Sequence, residues 1–225
     1  MSYNLQFGVI WRNLDLIFRG VWLTIRICLI STAIGLIIGT VFAGLQQTKK
    51  VVFTSIIRAY IEVIRNTPFL IQLFFIFFGL PSIGIRLNAN QAAMIALSVN
   101  TGAYATEIIR AGIESIKKGQ IDAGEALGLT KIQILRHIIL PPALMNVYPS
   151  LTSQFILIML GSSMISVISA EELTFVAGYL QSRTFRSFEI YFAITVLYLG
   201  MSYLFRIIFR FVSNFAFPKM AGKNA

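Results

Sequence analysis

Few residues in this chain could do covalent or metal chemistry. Cys28 stands alone inside an apolar run, and His137 has no Cys, His or Glu at ligand spacing, so neither a disulfide framework nor a metal site is expected. There is no H-E-x-x-H, no nucleophile with its base, and no G-x-x-x-x-G-K-[ST] loop to cradle a nucleotide's phosphates. What remains is charge and hydrogen bonding. Glu62 with Arg65, and Glu107 with Arg110, are acid–base pairs at i,i+3 spacing; they are expected as scaffolding or gating bridges, with solute contact as the alternative. Asn100 and Tyr104 are four apart and share a helix face, while Gln154 is followed at +7 and +8 by Gly161 and Ser162. Asn100, Tyr104, Gln154 and Ser162 either tie helices together or line a path for a small polar solute.

The elements that position these groups must be membrane helices. Of 225 residues, 56% are hydrophobic and only 12% charged, against roughly 25% charged in a soluble domain, and the mean hydropathy is +0.77. The apolar residues come in runs. A bilayer core of roughly 30 Å needs about 20 of them in a helix, and five stretches suffice: residues 21–45, 51–80, 90–113, 143–168 and 189–211. The expectation is an all-α integral membrane protein of five transmembrane helices in one domain over residues 1–225. Gly35, Gly39 and Gly44 offer close-packing points in the first span. Pro68 predicts a kink in the second, because it frees the carbonyl of Ile64. The start of the chain lacks the basic opening and short apolar core of a cleaved signal peptide, so the first helix is expected to stay.

The net charge of +10 could suggest nucleic acid, but the basic residues are scattered between apolar runs and gather on no polar face. Topology explains them better. Twelve of the nineteen Lys and Arg flank one side of the five spans and five flank the other, which predicts an outer N-terminus, a cytoplasmic C-terminus and a cytoplasmic loop over residues 114–142. Glu171 and Glu172 then open an outer loop, where a solvated turn is expected and a contact to a partner protein is the alternative.

That cytoplasmic loop is oddly soluble for such a greasy chain. KKGQIDAGEALGLTKIQILRHIILPPA reads as helix, stop, helix: Ala123, Ala126 and Leu127 give a small-residue face, Gly128 suits the position after the helix end, and Thr130 caps the next helix. Pro141 and Pro142 are expected to end that second helix. The first helix has too little apolar surface to insert and is shaped to enter a groove on another protein.

Asp122-Ala123-Gly124, three residues, Gly128, nine residues, then Ile138-x-Leu140-Pro141 is similar to the EAA loop of ABC importer permeases, E-A-A-x3-G-x9-I-x-L-P, with Asp for Glu and Gly for the second Ala. YIEVIRNTPFLIQL at 60–73 and NTGAYATEIIRAGI at 100–113 resemble the polar amino-acid uptake branch of that family, the histidine, glutamine and arginine type. The resemblance implies a type I importer permease in the bacterial inner membrane. Its expected partners are a second permease chain, identical or paralogous, ATPase subunits that bind ATP with Mg, and an extracytoplasmic amino-acid-binding protein. It further implies that Asp122, Ala123, Gly124, Ala126, Leu127 and Gly128 form a coupling helix docked on the ATPase, that this chain holds no cofactor, and that it is no enzyme itself. The alternative, a stand-alone secondary transporter or channel, should show repeated halves or a titratable chain at membrane centre, and neither is evident.

Overall fold

The computed structural model describes residues 4–48 and 50–217. Lys49, Lys219 and Lys223, which enter the charge count above, lie outside the described residues. After a short α1 (Gly8–Arg12), α2 runs over Leu14–Gln46, α3 over Val51–Arg65 and α4 over Phe69–Phe74, the last continuing as tighter and wider turns to Ile83. α5 (Ala89–Glu114) leads to the loop helix α6 (Lys118–Ala126); α7 (Lys131–Ile134) passes through a π turn into α8 (Leu140–Gly161) and a 3-10 stretch ending at Ile168; α9 (Leu173–Thr184) and α10 (Ser187–Ala216) complete the fold. No strand occurs among the described residues.

α5 is the centre. Its buried residues are nearly all small, from Ala92 and Ala93 to Ala105, Thr106 and Gly112, so neighbouring backbones come close. A Cβ on Gly35 would sit 2.5 Å from Thr101, one on Gly39 2.5 Å from Ala105, and one on Gly112 would strike Val147 of α8. Gly44, expected to pack likewise, has nothing within 4 Å, because the packed stripe continues from Gly35 and Gly39 to the fully buried Ala43 and Gly44, five residues after Gly39, falls on the outer face.

These contacts also fix direction. Ser31 meets Met94, Gly35 meets Thr101 and Gly39 meets Ala105, so α2 and α5 run parallel, and the chain between them must return across the whole length of the bundle. It does so through Val51–Arg65 and Phe69–Ile83, which are bent by 109° at the break. This is far more than the simple kink expected at Pro68. Three helices are long and apolar enough to cross a membrane, or four if this bent pair is one span. The expected third span, within α5, has the length but is too rich in Asn, Gln, Ser and Thr to pass on composition. Its polarity fits a helix surrounded by protein.

Pro141 and Pro142 do not end a helix. Lys131–Ile168 is one helical run of 38 residues, and the fourth span begins well before Ala143. The π turn Leu135–Ile139 explains the tolerance: the N–H of Leu140 bonds to the carbonyl of Leu135, five residues back, which relaxes the turn where the proline rings would otherwise meet the carbonyls before them.

Candidate functional site: a polar path and an exposed loop helix

The sharp bend is built around one side chain. Pro68 has no N–H to give to the carbonyl of Ile64, and the Gln72 amide supplies the missing donor: its Nε2 donates to Ile64 O at 2.7 Å and to Thr67 O at 3.0 Å. Its Oε1 accepts from Asn100 Nδ2 at 3.0 Å, which joins the bend to the central helix. Asn100 therefore serves packing, whatever else it touches. Gln72 was not singled out in the sequence, although a lone amide in FLIQLFF four residues after a proline is the available signal.

The bend also rearranges the charges. Glu62 and Arg65 do not pair. Arg65 Nη1 instead crosses to Glu107 Oε2 at 3.4 Å, and its guanidinium lies over the Tyr104 ring, 5.3 Å from the centroid. Glu107 takes two further bonds from Arg110, at 3.0 and 3.1 Å, and Arg110 reaches Glu114 at 2.6 Å. The result is a four-residue ladder along the C-terminal end of α5. Glu62 has no ion-pair partner among the described residues. α3 ends at Arg65, so that side chain is free to swing onto α5, where an anion and an aromatic face wait together.

Around the ladder lies a cavity of about 650 Å³ lined by Arg58, Glu62, Arg65, Tyr104, Glu107 and Arg110, with Gln46, Gln47, Thr54, Ile61, Asn66 and Glu114 completing the wall. A second cavity of about 210 Å³ has Tyr104 in its wall as well, and is otherwise lined by Asn100, Gln154 and Gly161 with Phe69, Leu97, Leu157, Ile158 and Met164. Three of the four predicted path residues thus meet in one place. Ser162 does not. It is fully buried, its hydroxyl donates to Met159 O, and it turns towards Cys28 of α2, since one residue's step around a helix is enough to leave the cavity.

At the other functional element, α6 ends in a Schellman arrangement. Leu129 N–H bonds to Gly124 O and Gly128 N–H to Glu125 O, with Gly128 left-handed at φ 76°. Thr130 then opens α7 through a reciprocal capping box with Gln133. Asp122, Ala123, Ala126, Leu127 and Gly128 are exposed, and Leu127 is 80% so. Gly124 departs from the expectation that it belongs to the outward face. It is buried against the next helix, where an added Cβ would stand 2.5 Å from Ile138 Cδ1.

Glu172 also corrects the sequence reading. It is fully buried rather than solvated: its carboxylate accepts from Phe175 N–H at 2.9 Å, capping α9, and from the Tyr198 hydroxyl at 2.8 Å. Burial pushes its carboxyl above the ordinary 4.5, against those hydrogen bonds. Glu189 is likewise buried and accepts from Gln6 N–H.

Over residues 33–216 the chain matches the family described as "Binding-protein-dependent transport system inner membrane component". It belongs to that family. The chain is thus a permease subunit of an ABC importer, a multi-pass protein of the inner membrane, and neither a stand-alone transporter nor an enzyme. It is 35% identical over 208 residues to the glutamine transport system permease protein GlnP of Escherichia coli (strain K12), covering 91% of this chain and 94% of that one. It is 34% identical over 195 residues to the probable glutamine ABC transporter permease protein GlnM of Bacillus subtilis (strain 168), covering 87% and 90%. A solved amino acid ABC transporter crystallised with histidines superposes with a TM-score of 0.88 at 33% identity, over 94% of this permease and 99% of that chain. The inward-facing MetNI methionine ABC transporter shares the fold, with a TM-score of 0.77 at 24% identity.

Proposed function

We propose that this permease carries a polar amino acid of the glutamine type, as one of two permease chains that cross the membrane five times each. Solute arrives from an extracytoplasmic binding protein, and two ATPase subunits, holding ATP with Mg, dock on the exposed face of α6. The observation that supports the solute assignment is the pair of cavities with Tyr104 in both walls, one at the charged end of the bundle and one at the amides of Asn100 and Gln154. An amide, a hydroxyl and a second amide match a zwitterionic head or a neutral polar tail through hydrogen bonds. None of the three carries a full charge, so affinity within the membrane is modest and selectivity rests mainly with the binding protein. The ladder of Arg65, Glu107, Arg110 and Glu114 gates the inner mouth, and Glu62 faces the same space. On the docking side, Asp122, Ala123, Ala126, Leu127 and Gly128 meet the ATPase, while Gly124 holds the helix to its own chain.

Gln154 provides the test. Gln154→Ala should lower uptake while sparing assembly and basal ATP hydrolysis, and Gln154→Glu should shift preference towards basic amino acids by Coulomb attraction at low dielectric. Uptake measured with neutral, acidic and basic amino acids would decide. Unchanged rates and preferences in both variants would make Gln154 a packing residue and place the path elsewhere.

A further inference from the structure

A groove between α8 and α10 encloses about 880 Å³ and borders the polar path at Leu157, which lines both. Arg206, Arg210 and Asn214 line it from α10, and Ile156, Leu157 and Leu160 from α8. The three polar residues are spaced i, i+4, i+8 and therefore share one helix face. Among the described residues neither arginine has an ion pair or a hydrogen bond. Like charges one turn apart repel, and a guanidinium within a bilayer is costly without an anion. The groove itself contains no carboxylate.

A second copy of this chain is poorly equipped to supply one. Of nine acidic residues, Glu107, Glu114 and Glu189 are bridged to arginines and Glu172 is committed to Phe175 and Tyr198. Glu62 faces the polar cavity, Asp122 and Glu125 sit on the docking helix, and Asp15 and Glu171, though exposed, lie at the opposite end of the bundle, at the start of α2 and beside α9. The bilayer has what is missing. The α8 wall runs from Tyr148 to Leu160, about 18 Å at 1.5 Å per residue, close to one leaflet's hydrocarbon depth, and it passes from polar at the basic end to apolar above.

We propose that this groove binds an anionic phospholipid, its phosphate held by Arg206 and Arg210 with Asn214 donating a hydrogen bond, and one acyl chain lying along Ile156, Leu157 and Leu160. The orientation proposed above puts the headgroup in the cytoplasmic leaflet; the recognition chemistry does not depend on that orientation.

Native mass spectrometry of the permease purified with its ATPase partner tests this, with phosphatidylglycerol and phosphatidylcholine of matched chains added in turn. Wild type should retain phosphatidylglycerol with a preference of about thirtyfold, as two surface arginines imply, and Arg206→Gln/Arg210→Gln should abolish it. Asn214→Glu, on the exposed rim, adds a carboxylate one turn from Arg210 and should cut retention without removing any packed side chain. Arg183→Gln, on α9, should leave it unchanged. Equal retention of both lipids by wild type, or undiminished preference in Asn214→Glu and the double variant, overturns the site. So does a double variant whose permease pair separates into single chains, because the groove then lies between two copies. ATP-driven uptake by the same preparations reports on the transport reading separately.

Discussion

Two glycines four residues apart divide the labour of the loop helix. Gly128 is left-handed, with nothing within 4 Å of an added Cβ, so a substitution there fails on backbone strain alone. Gly124 is ordinary helix in close contact with Ile138 and Ile134, so a methyl there only displaces the tip of Ile138, and it is larger side chains that fail on volume. Gly128→Val should cost about 1–2 kcal/mol locally and reduce the correctly placed helix by a factor of about 5–30. Ala123→Arg, on the exposed face, should block docking directly. Both proteins should insert and fold yet lose binding-protein-stimulated ATP hydrolysis, whereas Gly124→Ala, which only nudges the flexible tip of Ile138, should keep most of it. Measuring that stimulation in the three variants checks the assignment, and full activity in the first two would refute it. Gly128 was legible because a Gly between a helical pattern and a capping Thr has one common use. The burial of Gly124, Ser162 and Glu172 was not. Each depends on which neighbouring element arrives at that face, and periodicity along one helix does not encode it.

Among the elements, the bent pair Val51–Arg65 and Phe69–Ile83 carries the most consequence. Its bend places Arg65 on Glu107 and Tyr104 and forms the mouth of the path, and it is held by Gln72. Gln72→Leu would leave the carbonyls of Ile64 and Thr67 and the amide of Asn100 without their partner, at about 1–3 kcal/mol for each group left unsatisfied. Asn100→Ala removes a single bond and should cost less. Thermal unfolding in detergent should therefore rank wild type above Asn100→Ala and Asn100→Ala above Gln72→Leu; the opposite order for the two variants would show that something else holds the bend. Sequence reasoning located the break at Asn66-Thr67-Pro68 because Pro68 removes a backbone donor and frees the carbonyl of Ile64. Its angle was out of reach, since that is set by side-chain bonds eight and twenty-eight residues apart. The same limit applies to Pro141 and Pro142, whose rings are accommodated by the π turn over Leu135–Ile139.

For the whole molecule, the parallel course of α2 and α5 and the uneven distribution of basic residues point to the same path, with the loop helix α6 and the Arg206 end of α10 on one side and α9 on the other. In a Cys28→Ser background, a cysteine at Ser187 should react with an impermeant thiol reagent in intact cells, and one at Lys118 only after permeabilisation. The reverse would put the loop helix out of an ATPase's reach. Fold class and loop spacing were legible here because apolar run length and motif spacing are local properties; the two cavities that share Tyr104 were not, being assembled from α2, α3, α4, α5 and α8. The central claim is that transport through this permease is powered by a separate ATPase acting on the loop helix. Glutamine uptake into liposomes holding the permease and its ATPase tests it most directly, with ATP on the ATPase side and binding protein on the other. Uptake should require all three proteins and ATP and should collapse in Gly128→Val, whereas uptake by the permease alone, driven by an ion gradient without ATP, would contradict the account.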